Sequence, residues 1–255
     1  MAAFICASGF ASAHTSYMLP STFNMDRGST VTLQCSFSED FSGPEIAVLS
    51  DDYHVVHPDG ARADFDTLTP FKQLVVMEQS LEREGTYRFT TGQRLGRKSR
   101  RALVDGEWKP IFGPNAEVPE NASEVISTQT ATVADVYVSK GAPTWPAVEA
   151  TIGRLVFTPQ THPNEIFVDE PFDLNVSFDG EPMAQKEMTL YRHGGAYDDR
   201  KFRQTVTTDD AGDLALTFDQ AGIYLVMTRH RAPAPEGAET DERGYTTSLT
   251  FEVMK

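Results

Sequence analysis

The chain is short of positive charge, of cysteine and of long apolar runs, and each shortage removes a class of protein. Lys and Arg number 22 against 37 Asp and Glu, a formal net charge of −15 over 255 residues. Such a field repels a phosphate backbone and offers no general basic surface to anionic membranes, which argues against nucleic acid as a partner. No uncharged apolar run approaches the roughly 18 to 20 residues that span a bilayer, so the mature chain is expected to have no transmembrane segment. Signatures of catalysis are missing as well. There is no Gly-x-Ser-x-Gly elbow, no phosphate-binding glycine loop, no His-Glu-x-x-His and no Cys-x-x-Cys, and the expectation is a protein that is not an enzyme.

What is present is a globular composition: 40% apolar residues, with 16 Phe and 8 Tyr. That is too rich for a disordered acidic chain, and the length suits two domains. Residues 1–13, MAAFICASGFASA, carry no charge and end in Ala11-Ser12-Ala13, the small-x-small pattern cut by signal peptidase. They are read as a signal peptide, and export to the periplasm follows. The segment is short for a leader and has no basic start, which points to a precursor beginning further upstream; the other reading is a short apolar strand or helix of the fold. Cleavage would remove Cys6 and leave Cys35 alone. Cys35 lies in Val31-Thr32-Leu33-Gln34-Cys35-Ser36-Phe37, whose period-two alternation places it on the inner face of a strand, unpaired and slow to react.

Short β-branched and aromatic runs broken by Gly, Pro, Asp and Asn dominate the remainder, and helical periodicity is almost absent. The fold class is therefore all-β, with two β-sandwich domains. The first covers 14–150, with strands near 30–37, 45–49, 53–57, 73–78, 85–91 and 131–138. A long surface excursion over 92–130 interrupts it. The excursion carries Arg94, Arg97, Lys98, Arg100, Arg101 and Trp108, either as a recognition loop or as a solvated one. Lys140-Gly141-Ala142-Pro143-Thr144-Trp145-Pro146 reads as a linker. The second domain, 151–255, shows seven strands, near 153–158, 172–178, 186–192, 202–208, 213–218, 222–229 and 245–253, the count of an immunoglobulin-like or transthyretin-like sandwich. Thr207 to Asp213, with Gly212 suited to positive φ, reads as a hairpin turn, and its aspartates lack the spacing of a calcium loop.

Six histidines hold the remaining chemistry, since imidazole is the commonest protein ligand for divalent transition metals. Cleavage before His14 places a free α-amine and an imidazole in one residue, a ready bidentate chelate. His54 and His57 are three apart in a strand, point to opposite faces and are read as structural. His162 lies in a turn, where it caps backbone groups or faces the other domain. His193 precedes Gly194-Gly195, and His230 ends a strand on the face of Tyr224 and Val226.

The leader followed by His14, Tyr17-Met18-Leu19-Pro20-Ser21, Gly153-Arg154-Leu155, Thr161-His162-Pro163-Asn164, Asp179-Gly180-Glu181-Pro182, Thr208-Asp209-Asp210-Ala211-Gly212 and Ala221-Gly222-Ile223-Tyr224 form an ordered set. Together they resemble a widespread uncharacterised family of exported bacterial proteins, described as periplasmic components of cobalt or nickel (Co2+ ABC-type) uptake systems. The resemblance runs from His14 to the terminal strand; Tyr17-Met18 departs from it where the family usually has a Trp. It implies a periplasmic two-domain β protein associated with transition-metal transport. The expected function is capture of Ni2+ or Co2+, with Cu2+ or Zn2+ as other candidate ions, through His14 and one or more of His162, His193 and His230, and delivery to a membrane transporter component. The alternative is a non-catalytic interaction module binding a protein or glycan partner in the cell envelope. Two imidazoles close to the amino terminus would favour the metal, and scattered histidines with an exposed apolar patch would favour the partner.

Overall fold

The computed structural model describes residues 14–111, 113, 116–194 and 203–255. The predicted leader with Cys6 lies outside the described residues. No helix occurs among those described. Twenty strands follow in order: β1 Thr15–Pro20, β2 Asn24–Met25, β3 Thr30–Ser38, β4 Ile46–Ala47, β5 His54–Val56, β6 Arg62–Ala63, β7 Thr67–Pro70, β8 Val75–Ser80, β9 Gly85–Thr90 and β10 Arg94–Val104. Beyond these lie β11 Glu107–Ile111, β12 Ala122–Lys140, β13 Leu155–Pro159, β14 Pro171–Phe178, β15 Glu181–Pro182, β16 Glu187–Arg192, β17 Arg203–Thr207, β18 Asp213–Thr217, β19 Gly222–Pro233 and β20 Glu242–Val253. The expected all-β sandwich class is what the sheets form.

An eleven-stranded central sheet runs β17-β16-β19-β20-β12-β9-β5-β6, with β10, β11 and β2 attached to it. A five-stranded sheet (β1-β3-β8-β7, with β4 on β3) and a four-stranded sheet (β13-β14-β15, with β18 on β14) complete the fold. The alternation of β12 shows how they stack. Val136 and Val138 pack with Met18, Leu33, Cys35 and Met77 of the five-stranded sheet. Ala131 and Tyr137 point the other way, into the core of Phe172, Leu174 and Val176 from the four-stranded sheet. The two small sheets therefore lie on opposite faces of the central one, and the two sandwiches share that sheet across residue 150. Its two halves join where β12 and β20 pair in parallel, from Thr128↔Glu242 to Val136↔Thr250. A strand covered on both faces has no polar side to show, and residues 131–139 are buried without interruption.

The segment 92–130 is built from β10, β11 and the first half of β12. The β10–β11 hairpin pairs from Arg100↔Ile111 to Val104↔Glu107, and β10 also pairs with β12. Arg97 and Lys98 face solvent, whereas Arg94, Arg100 and Arg101 are partly covered, so a dense basic run and a regular ladder coexist: Arg101 stacks on Trp108, with its guanidinium 4.3 Å from the ring centroid, and pairs with Glu242. The turn Thr207 to Asp213 differs from the hairpin expected there. It carries the chain from β17 in the central sheet to β18 in the four-stranded sheet. The Asp209 carboxylate accepts from the N–H groups of Ala211 and Asp213, and Gly212 sits at φ 78°. A Cβ at Gly212 would lie 2.8 Å from the Val176 carbonyl, so the turn fits closely beneath β14.

Candidate functional site

β1 and β4 both pair with the end of β3, at Thr15↔Ser38, Ser16↔Phe37 and Phe37↔Ile46. The turn 39–45 closes over that end and brings Glu45 to His14, the residue before β1. His14 Nε2 lies 2.7 Å from Glu45 Oε2. The other Glu45 oxygen accepts the Glu39 N–H at 2.8 Å. The Glu39 N–H, the largest stabilising influence, and then His14 hold the Glu45 carboxyl below its usual range. An ionised carboxylate only accepts, so Nε2 carries a proton, and in the neutral ring the lone pair is on Nδ1. Both side chains are 41% exposed. Arg229 donates to the His14 carbonyl at 3.4 Å and ties the start of β1 to β19.

The other three predicted histidines stand elsewhere. His162 is buried, with Nδ1 accepting the Asn164 N–H at 3.1 Å and Nε2 donating to Thr86 Oγ1 at 3.0 Å and the Thr144 carbonyl at 3.2 Å. Both nitrogens are engaged, none is left for a metal, and the ring links β9, the 140–146 segment and the 161–164 turn. His193 packs edge-on against Phe41, which in turn packs against Tyr17. His230 lies 4.5 Å from the Phe178 ring, centroid to centroid, and is held below the usual imidazole range first by burial, then by Lys186. Among the described residues no three His, Cys, Asp or Glu side chains are grouped to hold a metal ion. Any metal at His14 would therefore rest on that residue's own nitrogens, with coordination positions left open.

A second polar site escapes the sequence reading. Asp52, His54, Arg62 and Gln93 line a cleft of about 310 Å3, closed on one side by residues 150–153. His54 is buried at 3% exposure, and its Nδ1 lies 2.6 Å from the Asp52 carbonyl. A carbonyl cannot donate, so Nδ1 carries the proton. Burial holds the imidazole below its usual range and keeps it neutral. Asp52 accepts from Arg62 at 2.6 Å and from the Gln93 N–H at 2.8 Å, and its carboxyl is held low by these bonds against the opposing effect of burial. His57 is separate, edge-on to Tyr87 at 5.3 Å. The sequence signal for the cleft was the His54–His57 spacing, correctly read as divergent; the wall from 150–153 lies nearly a hundred residues away in the chain.

Cys35 is free and fully buried, and burial pushes its thiol up to about 12.

Three layered sheets, with an imidazole–carboxylate pair at the first strand and a polar cleft at the central sheet, define an all-β sandwich protein with surface polar sites. The chain belongs to the family described as Domain of unknown function (DUF4198), whose model matches residues 11–232. No curated protein matches the chain. Among solved structures, the D0-D1 domain of intimin is 12% identical at a TM-score of 0.24, covering 94% of this chain and 100% of its own. The Yersinia pseudotuberculosis adhesin InvE is 14% identical at a TM-score of 0.25; the match covers 95% of this chain and spans 61% of InvE. Values this low carry no shared arrangement, and the fold class rests on the sheets themselves.

Proposed function

We propose that this protein is a non-catalytic, periplasmic carrier that captures Ni2+ or Co2+ through an amino terminus created by cleavage after Ala13, and passes the ion to a membrane transporter. The observation that supports the reading is the His14–Glu45 hydrogen bond. It fixes the one tautomer in which Nδ1, the ring nitrogen nearer the backbone, is free to close a chelate ring with the α-amine of the same residue. A carboxylate on the far ring nitrogen is also what orients metal-ligating histidines and raises their basicity. Two nitrogens with open positions around them suit transient capture, because a receiving protein can supply the remaining ligands before the first are released. The ion here is cargo, and imidazole with amine suits nickel, cobalt, copper and zinc, with supply deciding among them.

Calorimetric titration with NiCl2 tests this on three forms: the chain starting at His14, the same chain with one residue added before it, and Glu45→Gln starting at His14. Binding is expected only where the α-amine is free, and Glu45→Gln weakens it about tenfold by releasing the ring. Affinity falls as pH drops, because protons compete with the metal for both nitrogens. Equal affinity with and without the added residue overturns the site.

Histidines that stand apart from His14, together with an exposed apolar patch, favour the second reading, an interaction module. Ile46, Leu49 and Phe71 are each more than half exposed, and the segments that carry them are joined by the Ala47 N–H donating to the Lys72 carbonyl. They flank the edge strand β7, whose residues are all exposed. Absence of metal binding in every form leaves this surface as the basis of function.

A further inference from the structure

The cleft beside His54 is a site in its own right, independent of His14. Its inner wall offers acceptors. His54 is buried with Nδ1 spent on the Asp52 carbonyl, and among the described residues Nε2 has no hydrogen-bond partner. The Asp52 carboxylate also lines the cleft, on the Nδ1 side of the ring, with Oδ1 3.9 Å from Nδ1. The mouth offers donors: the Arg62 guanidinium uses one nitrogen on Asp52, and the rest of it is 58% exposed. Behind the cleft lie Arg88 and Asp135, buried at 2% and 6% and paired with each other, while Arg88 also donates to the carbonyl of Ala150, a wall residue. The polar lining therefore sums to no net charge, with acceptors deep and a cation outside.

From this we propose that the cleft binds a small 2-substituted carboxylate, a 2-hydroxy or 2-amino acid, whose hydroxyl or ammonium donates to His54 Nε2 while its carboxylate meets Arg62. A volume of about 310 Å3 lies at the small end of ligand cavities and excludes large occupants. A bare anion leaves the His54 lone pair unanswered, and a bare cation meets Arg62 at the entrance. A donor and a carboxylate on neighbouring carbons answer both ends. Gly153, at φ 76° with Val133 only 3.1 Å from where a Cβ would stand, keeps the wall backbone close against the sheet.

Long-range 1H–15N spectra of the histidine rings, recorded on metal-free protein, read the site directly. L-lactate and L-alanine are the probes, and propanoate, which has the carboxylate but no donor, is the control. The expected result is a saturable shift of the His54 Nε2 resonance with lactate, alanine or both, and none with propanoate; which of the two acts identifies the donor. Arg62→Met, a surface change that leaves the core intact, weakens the response about tenfold. His54→Phe abolishes binding measured by calorimetry. No shift with either probe, or a shift with propanoate equal to that with lactate, overturns the proposal. Because the measurement uses no metal and no free amino terminus, it stands or falls separately from the His14 site.

Discussion

Three imidazoles, His54, His162 and the half-buried His230, are held low by their surroundings, and the two fully buried ones carry an acid response. His54 and His162 are both held below the ordinary value of about 6.5, in each case chiefly by burial. In the window beneath pH 6.5 the unfolded chain thus takes up protons that the folded chain refuses. Stability from these residues is complete above that value and is lost as pH falls through it. Carboxylates held low in the fold, such as Asp52 and Asp66, act in a lower window, beneath about pH 4. Urea denaturation from pH 7.5 to 5 should show a fall in stability above the window in which the lowered carboxylates act, with Glu252, raised by burial, working against the fall at its acid end. His162 faces Thr86, Thr144, Trp145 and Asn164, with Glu165 the charge that opposes its shift. His162→Gln should cost about 1 to 3 kcal/mol at pH 7.5, through its broken buried bonds, and flatten the fall. An identical pH slope in wild type and variant would show that His162 does not carry the effect.

Among the elements, β12 has two characters on one strand. Its first half is largely exposed, Val125 at 40%, whereas Val136 is fully buried. Val136→Ala leaves a hole between the central and five-stranded sheets and should cost about 2 kcal/mol, while Val125→Ala should stay within about 0.5 kcal/mol. Thermal or urea unfolding of both variants checks this, and comparable losses would contradict the two-faced burial. The same strand shows what the sequence could reveal. Alternation and apolar runs located seven of the eight C-terminal strands, missing the two-residue β15 and stopping three to four residues short at the ends of β19 and β20 that leave the core, and alternation placed Cys35 correctly in the core. Residues 131–138 of β12 were visible for their apolar run, but 122–130 were hidden because that half is polar on both faces. The β10–β11 arm was read as an excursion for the same reason: Arg97, Lys98 and Arg100 signal solvent, and solvent-facing ladders carry no apolar period. The His14–Glu45 pair was beyond reach. Its partners are 31 positions apart and meet only because β1 and β4 take opposite edges of β3.

At the scale of the whole molecule, the shared sheet couples the two sandwiches. Their separation would strip β20 from β12 along the ladder from Thr128 to Val136, and would uncover Tyr137 and Ala131 on one face of β12. It would also break the buried polar contacts around His162 and Asn164, which reach Thr86, Ser139 and the Phe23 and Tyr137 carbonyls from across residue 150. Buried polar groups left without partners cost about 1 to 3 kcal/mol each, so an intermediate with one sandwich open gains little and loses several such bonds together. Each half would keep its small sheet and only its own part of the central one, with β12 or β20 left as a bare edge. The chain should accordingly unfold in a single cooperative step, although its length would suit two independent domains. Hydrogen exchange read by mass spectrometry through a urea series, comparing β9 in the first sandwich with β14 in the second, makes the comparison. Coincident midpoints are expected. A stable species with β14 protected and β9 exchanged, or the reverse, would show that the β12–β20 ladder is a seam between separable domains, and that the layers behave as two proteins sharing an edge.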